Sequence, residues 1–262
     1  MSDLLDGRTA IVYGAGGSIG GAVAKAYAAE GATVCLVGRT QDTLDAVAKD
    51  ITAAGGVADV AVLDALDELA VDEHVAAVVA RTGRLDVSFN LISRGDVQGT
   101  PLVDMTTDDL LRAVNDGLRS NFATARAAAR VMIERRSGVI LHLNSASGAG
   151  AMPGMGSTGP ADAATESFMR YLAAEVGQFG VRVCGIWTAG VLETLTTEKL
   201  AGVGGPDVPA PRTAAEMIAG MSAMRRTPRL ADVTGTATYL ASDLASGVTG
   251  SMTNVTAGLV LR

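Results

Sequence analysis

Short apolar runs alternate with longer stretches of helical period along the whole chain. The runs are Thr9–Tyr13 (TAIVY), Ala32–Val37 (ATVCLV), Ala58–Leu63, Leu85–Leu91 (LDVSFNL), Gly138–Leu143 (GVILHL), Val181–Trp187 and Ser251–Val255. Each has the length of a strand. Between them Gly21–Glu30, Thr43–Ala54, Leu69–Ala80, Thr107–Arg135, Pro160–Val176 and Val233–Ala241 predict helices. In Thr43–Ala54, for example, Leu44, Val47, Ala48 and Ile51 fall on one helical face. Buried strands alternating with helices predict an α/β fold, a doubly wound parallel sheet of about seven strands covered on both faces. No linker, repeat or break in composition divides the chain, so 1–262 reads as one domain. The least regular stretch, Glu193–Arg229, contains AGVGGPDVPAP and predicts a mobile flap over a substrate.

Composition narrows the choice of partners. Of 262 residues, 48% are hydrophobic, and 21 Lys+Arg against 28 Asp+Glu leave a net charge of −7. No long basic run is present, which argues against nucleic acid and anionic membrane as partners. No apolar run approaches the roughly 18 residues of a membrane span. The start, MSDLLDGRTA, lacks the basic-then-apolar order of a secretory signal. Cys35 and Cys184 lie in separate apolar runs and read as buried thiols of a reducing compartment, which makes the cytoplasm the expected location. The two histidines form no metal constellation.

Candidate chemistry begins at YGAGGSIGG, Tyr13–Gly21, which follows a strand and precedes a helix. Glycines at such a turn let the backbone approach a diphosphate, and the helix N-terminus then faces its charge. Gly14, Gly16, Gly17, Ser18, Ile19 and Gly20 are therefore the candidate cofactor cradle. An acid that binds a ribose hydroxyl often stands about 20 residues further on. Here the second strand runs into Val37–Thr40 (VGRT) with no acid, and Arg39 is placed to meet a 2′-phosphate. NADP(H) is thus favoured over NAD(H). Asp64 is a candidate for the adenine pocket, or else a helix cap.

These pieces together resemble the short-chain dehydrogenase/reductase family, with its Rossmann-type fold, from Leu5 to Leu259. YGAGGSIG stands where the family has TGxxxGIG, with Tyr13 for threonine and Ser18 at the middle glycine. FNLIS, Phe89–Ser93, stands where it has NNAG and keeps Asn90. HLNSASG, His142–Gly148, resembles the segment that carries the catalytic serine, which would be Ser145. The C-terminal ASD…VTG segment also agrees. The resemblance implies a Tyr-x-x-x-Lys pair thirteen residues beyond that serine, but the count reaches Thr158 and then Asp162. The family's asparagine in the long helix aligns with Gly117, with Asn115 and Asn121 nearby.

In the mechanism that the resemblance implies, the tyrosine exchanges a proton with a carbonyl oxygen and the lysine lowers its pKa. A threonine hydroxyl is a far weaker acid than a phenol, and a carboxylate raises a neighbour's pKa. Ordinary carbonyl reduction is expected to be impaired by about 10²–10⁴. Three readings follow. The first is an NADP(H)-dependent oxidoreductase of a carbonyl or alcohol that uses Ser145 together with Asp162 or water for its proton. The second is a non-redox enzyme, a cyclase or isomerase, with Met152–Met155 and the flap enclosing a small apolar substrate. The third is a catalytically inactive binding or assembly subunit, which binds no cofactor if Ser18 and the lost lysine have closed the site. Asp162 could also serve only its helix, as an acid in the first turn. The resemblance further implies a homodimer or homotetramer formed through the helices at Thr107–Arg135 and Pro160–Val176.

Overall fold

The computed structural model describes residues 3–205 and 208–261. Its seven described strands are β1 (Thr9–Tyr13), β2 (Thr33–Gly38), β3 (Val57–Val62), β4 (Val87–Asn90), β5 (Gly138–Ser145), β6 (Val181–Thr188) and β7 (Met252–Val255). They form one parallel sheet in the order β3-β2-β1-β4-β5-β6-β7. Eight helices are described: α1 (Ser18–Ala29), α2 (Gln41–Ala53), α3 (Glu68–Thr82), α4 (Thr107–Arg135), α5 (Thr158–Val176), α6 (Thr197–Gly204), α7 (Pro211–Met221) and α8 (Leu230–Ala241).

The central strands are buried on both faces, and their alternating side chains divide into two cores. Ala10 and Val12 of β1 pack with Val23, Tyr27 and Leu240, on the side of α1, α2 and α8. Ile11 and Tyr13 pack with Val71, Val75 and Met132, on the side of α3, α4 and α5. Each fully buried Leu, Ile or Val contributes about 1.5–3 kcal/mol. Tyr13 belongs to this second core at 0% exposure. Cys35 and Cys184 are buried free thiols. Among the described residues no helix is long and apolar enough to cross a membrane.

Two expectations are corrected. The first helix starts at Ser18, not Gly21, so the later residues of the glycine loop are already helical. The stretch read as an irregular flap holds a 3-10 turn at Leu192–Thr194 and the helices α6 and α7; Pro206 and Asp207 lie outside the described residues. Thr196 caps α6 by accepting from the Lys199 N–H, and Pro211 opens α7 at a position that needs no N–H donor. Gly202 and Gly204 lie within α6, and Pro211 and Gly220 within α7.

Candidate functional site

Strand order reverses between β1 and β4, and in an open parallel sheet a crevice forms there beyond the carboxyl ends of the strands. A cleft of about 600 Å³ lies at that place. Gly14, Gly16, Gly17, Arg39 and Asp64 line it, as do Thr40, Ser93, Arg94, Gly95 and Asp116. The loop after β1 is tight for a stated reason. Gly14 has φ +80°, and a Cβ there would lie 2.6 Å from the Leu91 carbonyl oxygen. A Cβ on Gly20 would lie 2.2 Å from the Gly14 carbonyl oxygen, so α1 can approach the loop only without one. Gly17 caps α1, and Ser18 and Ile19 fill its first turn, where free N–H groups favour an anion. Gly20→Ala is expected to lower stability by about 1–3 kcal/mol through overpacking, read by thermal unfolding.

The remaining cofactor candidates divide. Arg39 makes no hydrogen bond or ion pair among the described residues and is free to meet a ligand. The Asp64 carboxylate accepts from the Leu66 N–H at 3.0 Å and its carbonyl from the Asp67 N–H at 2.9 Å, while the cap of α3 is Asp67, which accepts from Leu69 and Ala70. Asn90 is held inside: its Oδ1 accepts from the Ile92 N–H at 3.0 Å and its Nδ2 donates to Thr124 at 3.1 Å. It shapes the chain leaving β4.

Ser145, Thr158 and Asp162 come together at the end of β5 and the start of α5. The helix begins at Thr158, so Pro160 is its third residue and not its first, still within the turn that lacks N–H partners. Thr158 and Asp162 face inward as a pair. Ser145 Oγ donates to Asp162 Oδ2 at 2.5 Å and accepts from the Ser147 N–H at 3.2 Å. Asn144 Nδ2 donates to the Asp162 carbonyl at 3.2 Å and ties β5 to the helix. The Thr158 hydroxyl accepts from Gln98 Nε2 at 3.3 Å, which leaves it holding the β4–α4 loop.

Sequence reasoning missed the group that completes this cluster. Arg94 Nη2 lies 2.5 Å from Asp162 Oδ1, and Nε donates to Asp96 Oδ1 at 3.1 Å. Nη2 also reaches the Thr158 carbonyl at 3.5 Å. The Asp162 side chain is 0% exposed and that of Arg94 only 10%, so this is a buried ion pair. Gly117 explains how it fits, since a Cβ there would lie 2.7 Å from Arg94 Cδ. The gap at Gly117 receives the arginine, and Asn121 Nδ2 caps the Gly117 carbonyl at 2.9 Å. A buried acid demands a cation, and a helix-interior glycine signals close approach, but the two signals meet only in three dimensions.

Burial pushes the Asp162 carboxyl up to about 6, while Arg94 and Ser145 pull it back. Burial also works against the Arg94 charge, but Asp162 and Asp96 outweigh it and hold the guanidinium protonated. The reading of Asp162 as an acid that serves the helix N-terminus is therefore corrected: its side-chain oxygens bind Ser145 and Arg94. His142 is buried in β5, and burial lowers its imidazole to about 4, so it is neutral. Beside Ser145 lies a larger, mostly apolar cavity of about 1010 Å³, lined by Leu102, Ser147, Met152, Met155, Pro160 and others.

The cleft fits a dinucleotide at its adenosine and diphosphate end, where the glycine cradle and the free Arg39 lie. Residues 14–260 match the enoyl-(acyl carrier protein) reductase family. The 3-oxoacyl-(acyl-carrier-protein) reductase of Thermotoga maritima is 29% identical over 98% of this chain and 99% of its own. An enoyl-(acyl-carrier-protein) reductase (NADH) of Rhizobium meliloti is 32% identical over 98% of this chain and 93% of its own. Levodione reductase superposes with a TM-score of 0.88 at 25% identity, covering 97% of this chain and 98% of that one. NAD+-bound xylitol dehydrogenase gives 0.86 at 26% identity, covering 97% and 99%. With its glycine loop, strand order and near full-length match, the chain belongs to the short-chain dehydrogenase/reductase family, whose members bind nicotinamide cofactors.

Proposed function

We propose that this protein is an NADP(H)-dependent oxidoreductase of a carbonyl or alcohol on a small apolar substrate, with Ser145 and Asp162 as its proton path. The observation that carries this reading is the 2.5 Å hydrogen bond from Ser145 Oγ to the buried Asp162 carboxylate, itself braced by Arg94. Gly14, Gly16 and Gly17 would hold the diphosphate, and Arg39 a 2′-phosphate. When bound, NADP(H) supplies or accepts the hydride. Ser145 is half-buried at the end of β5, and Asp162 lies behind it out of reach of solvent. In alcohol oxidation Ser145 Oγ takes the substrate's hydroxyl proton as its own proton passes to Asp162 Oδ2. In carbonyl reduction the same two transfers run in reverse and need Asp162 protonated.

The apolar cavity beside Ser147 supports an apolar substrate. Exposed Leu111 and Phe122 on α4 and Tyr171 on α5 support assembly of the chain with itself as a dimer or tetramer. The test is a single-turnover experiment with excess protein, NADPH and a panel of apolar ketones and aldehydes. Substrate-dependent loss of NADPH absorbance is expected. Cofactor binding without turnover, with any of the panel or of the matching alcohols and NADP+, contradicts the oxidoreductase reading and leaves the assembly subunit as the better account.

A further inference from the structure

Arg94 has donors to spare. Its Nε and Nη2 bind Asp96, Asp162 and the Thr158 carbonyl, but Nη1 has no partner among the described residues. Nη1 is also not among the buried atoms left without a partner. Its free face therefore meets the space beside it, and Arg94 lines the dinucleotide cleft together with Ser93 and Gly95. Arg39 follows β2 and Arg94 follows β4, so the two arginines stand on opposite sides of the point where strand order reverses.

We propose that Arg94 is a cofactor-positioning residue, whose Nη1 donates to the oxygens of the ribose–diphosphate half of NADP(H) that lies beyond the adenosine. This rests on the cofactor reading above. The guanidinium is held for this use from below: Asp162 and Asp96 fix its plane, and the gap at Gly117 gives its stem a fixed course. A fork fixed in this way loses little freedom when it meets a ligand oxygen. One buried pair thus serves two tasks, since the arginine that braces the Asp162 charge also grips the cofactor next to Ser145.

The test is calorimetric titration of the full chain with NADPH, with 2′-phospho-ADP-ribose and with 2′,5′-ADP, which ends at the adenosine phosphate. The variants are Gly117→Asn, which pushes Arg94 aside and keeps its charge, and the double variant Arg94→Met/Asp162→Leu, which removes the fully buried carboxylate together with its cation and leaves only Asp96, 17% exposed, without a partner. Both are expected to weaken NADPH and 2′-phospho-ADP-ribose by about 10–100-fold, the loss of a hydrogen bond with a charged donor, and 2′,5′-ADP by less than twofold. Equal weakening of all three ligands, or of none, overturns the proposal. A wild-type chain that binds 2′,5′-ADP and NADPH equally well also overturns it. Wild-type protein that binds none of the three overturns the cofactor reading itself, an outcome distinct from failure of the variants.

Discussion

Arg94→Leu is expected to lower the stability of the fold by about 3–5 kcal/mol, because it leaves the Asp162 carboxyl buried without its cation. Asp162→Leu alone is expected to cost less, because Arg94, at 10% exposure, loses one anionic partner and keeps Asp96. The two substitutions together are expected to recover most of the loss, since apolar groups can replace a buried pair at little cost. Denaturant unfolding of the four proteins at one pH measures this directly. Losses that simply add would mean that the two side chains do not form a unit.

The same pair sets a pH dependence. In the fold the Asp162 carboxyl titrates at about 6, above its ordinary 3.8. Between these values the folded chain binds more protons than the unfolded one. The stability this group provides therefore falls as pH rises from about 4 to about 6, then levels off. In Arg94→Leu only the Ser145 hydrogen bond opposes the effect of burial, so the carboxyl rises further. The deficit of that variant relative to wild type is then larger at pH 8 than at pH 5, which unfolding curves at the two values check.

Ser145→Ala is expected to reduce turnover by about 10²–10⁴ with cofactor binding unchanged, since on the proposed proton path it removes the hydroxyl that hands the proton to Asp162. Asp162 gives the finer test. Alcohol oxidation needs the ionised carboxylate and rises as pH passes through about 6, whereas carbonyl reduction needs the protonated form and falls. Asp162→Asn keeps an oxygen that can accept from Ser145 but cannot take up the proton. It is expected to flatten both profiles at a much lower rate. An unchanged inflection in that variant would assign the titration to another group.

The sheet was legible because β1, β2 and β5 carry apolar residues on both faces and the segments between the strands carry helical period. The outer strand β3 was found within one residue although Val57 and Val62 are exposed, because five of its six residues are apolar. The two helices of the supposed flap were missed because glycine and proline mask a short helical pattern. At the site, the spacing from Ser145 to Thr158 and Asp162 named residues that the fold gathers at the end of β5 and the start of α5. It could not say that Asp162 would turn to Ser145, or that Thr158 would turn to Gln98. Arg94 was not legible, since a loop arginine twenty-three residues before a helix glycine gives no local sign that one fills the space left by the other. The partnership is a property of packing, and packing is what one-dimensional pattern omits.

The most direct measurement is a calorimetric titration of the purified chain with NADPH, with NADH alongside. Saturable binding of NADPH, tighter than that of NADH, is the predicted result, and it would place the glycine loop and Arg39 in use. Binding of neither would contradict the account at its base. The Ser145–Asp162–Arg94 cluster would then be a structural brace in a chain that works without a nicotinamide cofactor.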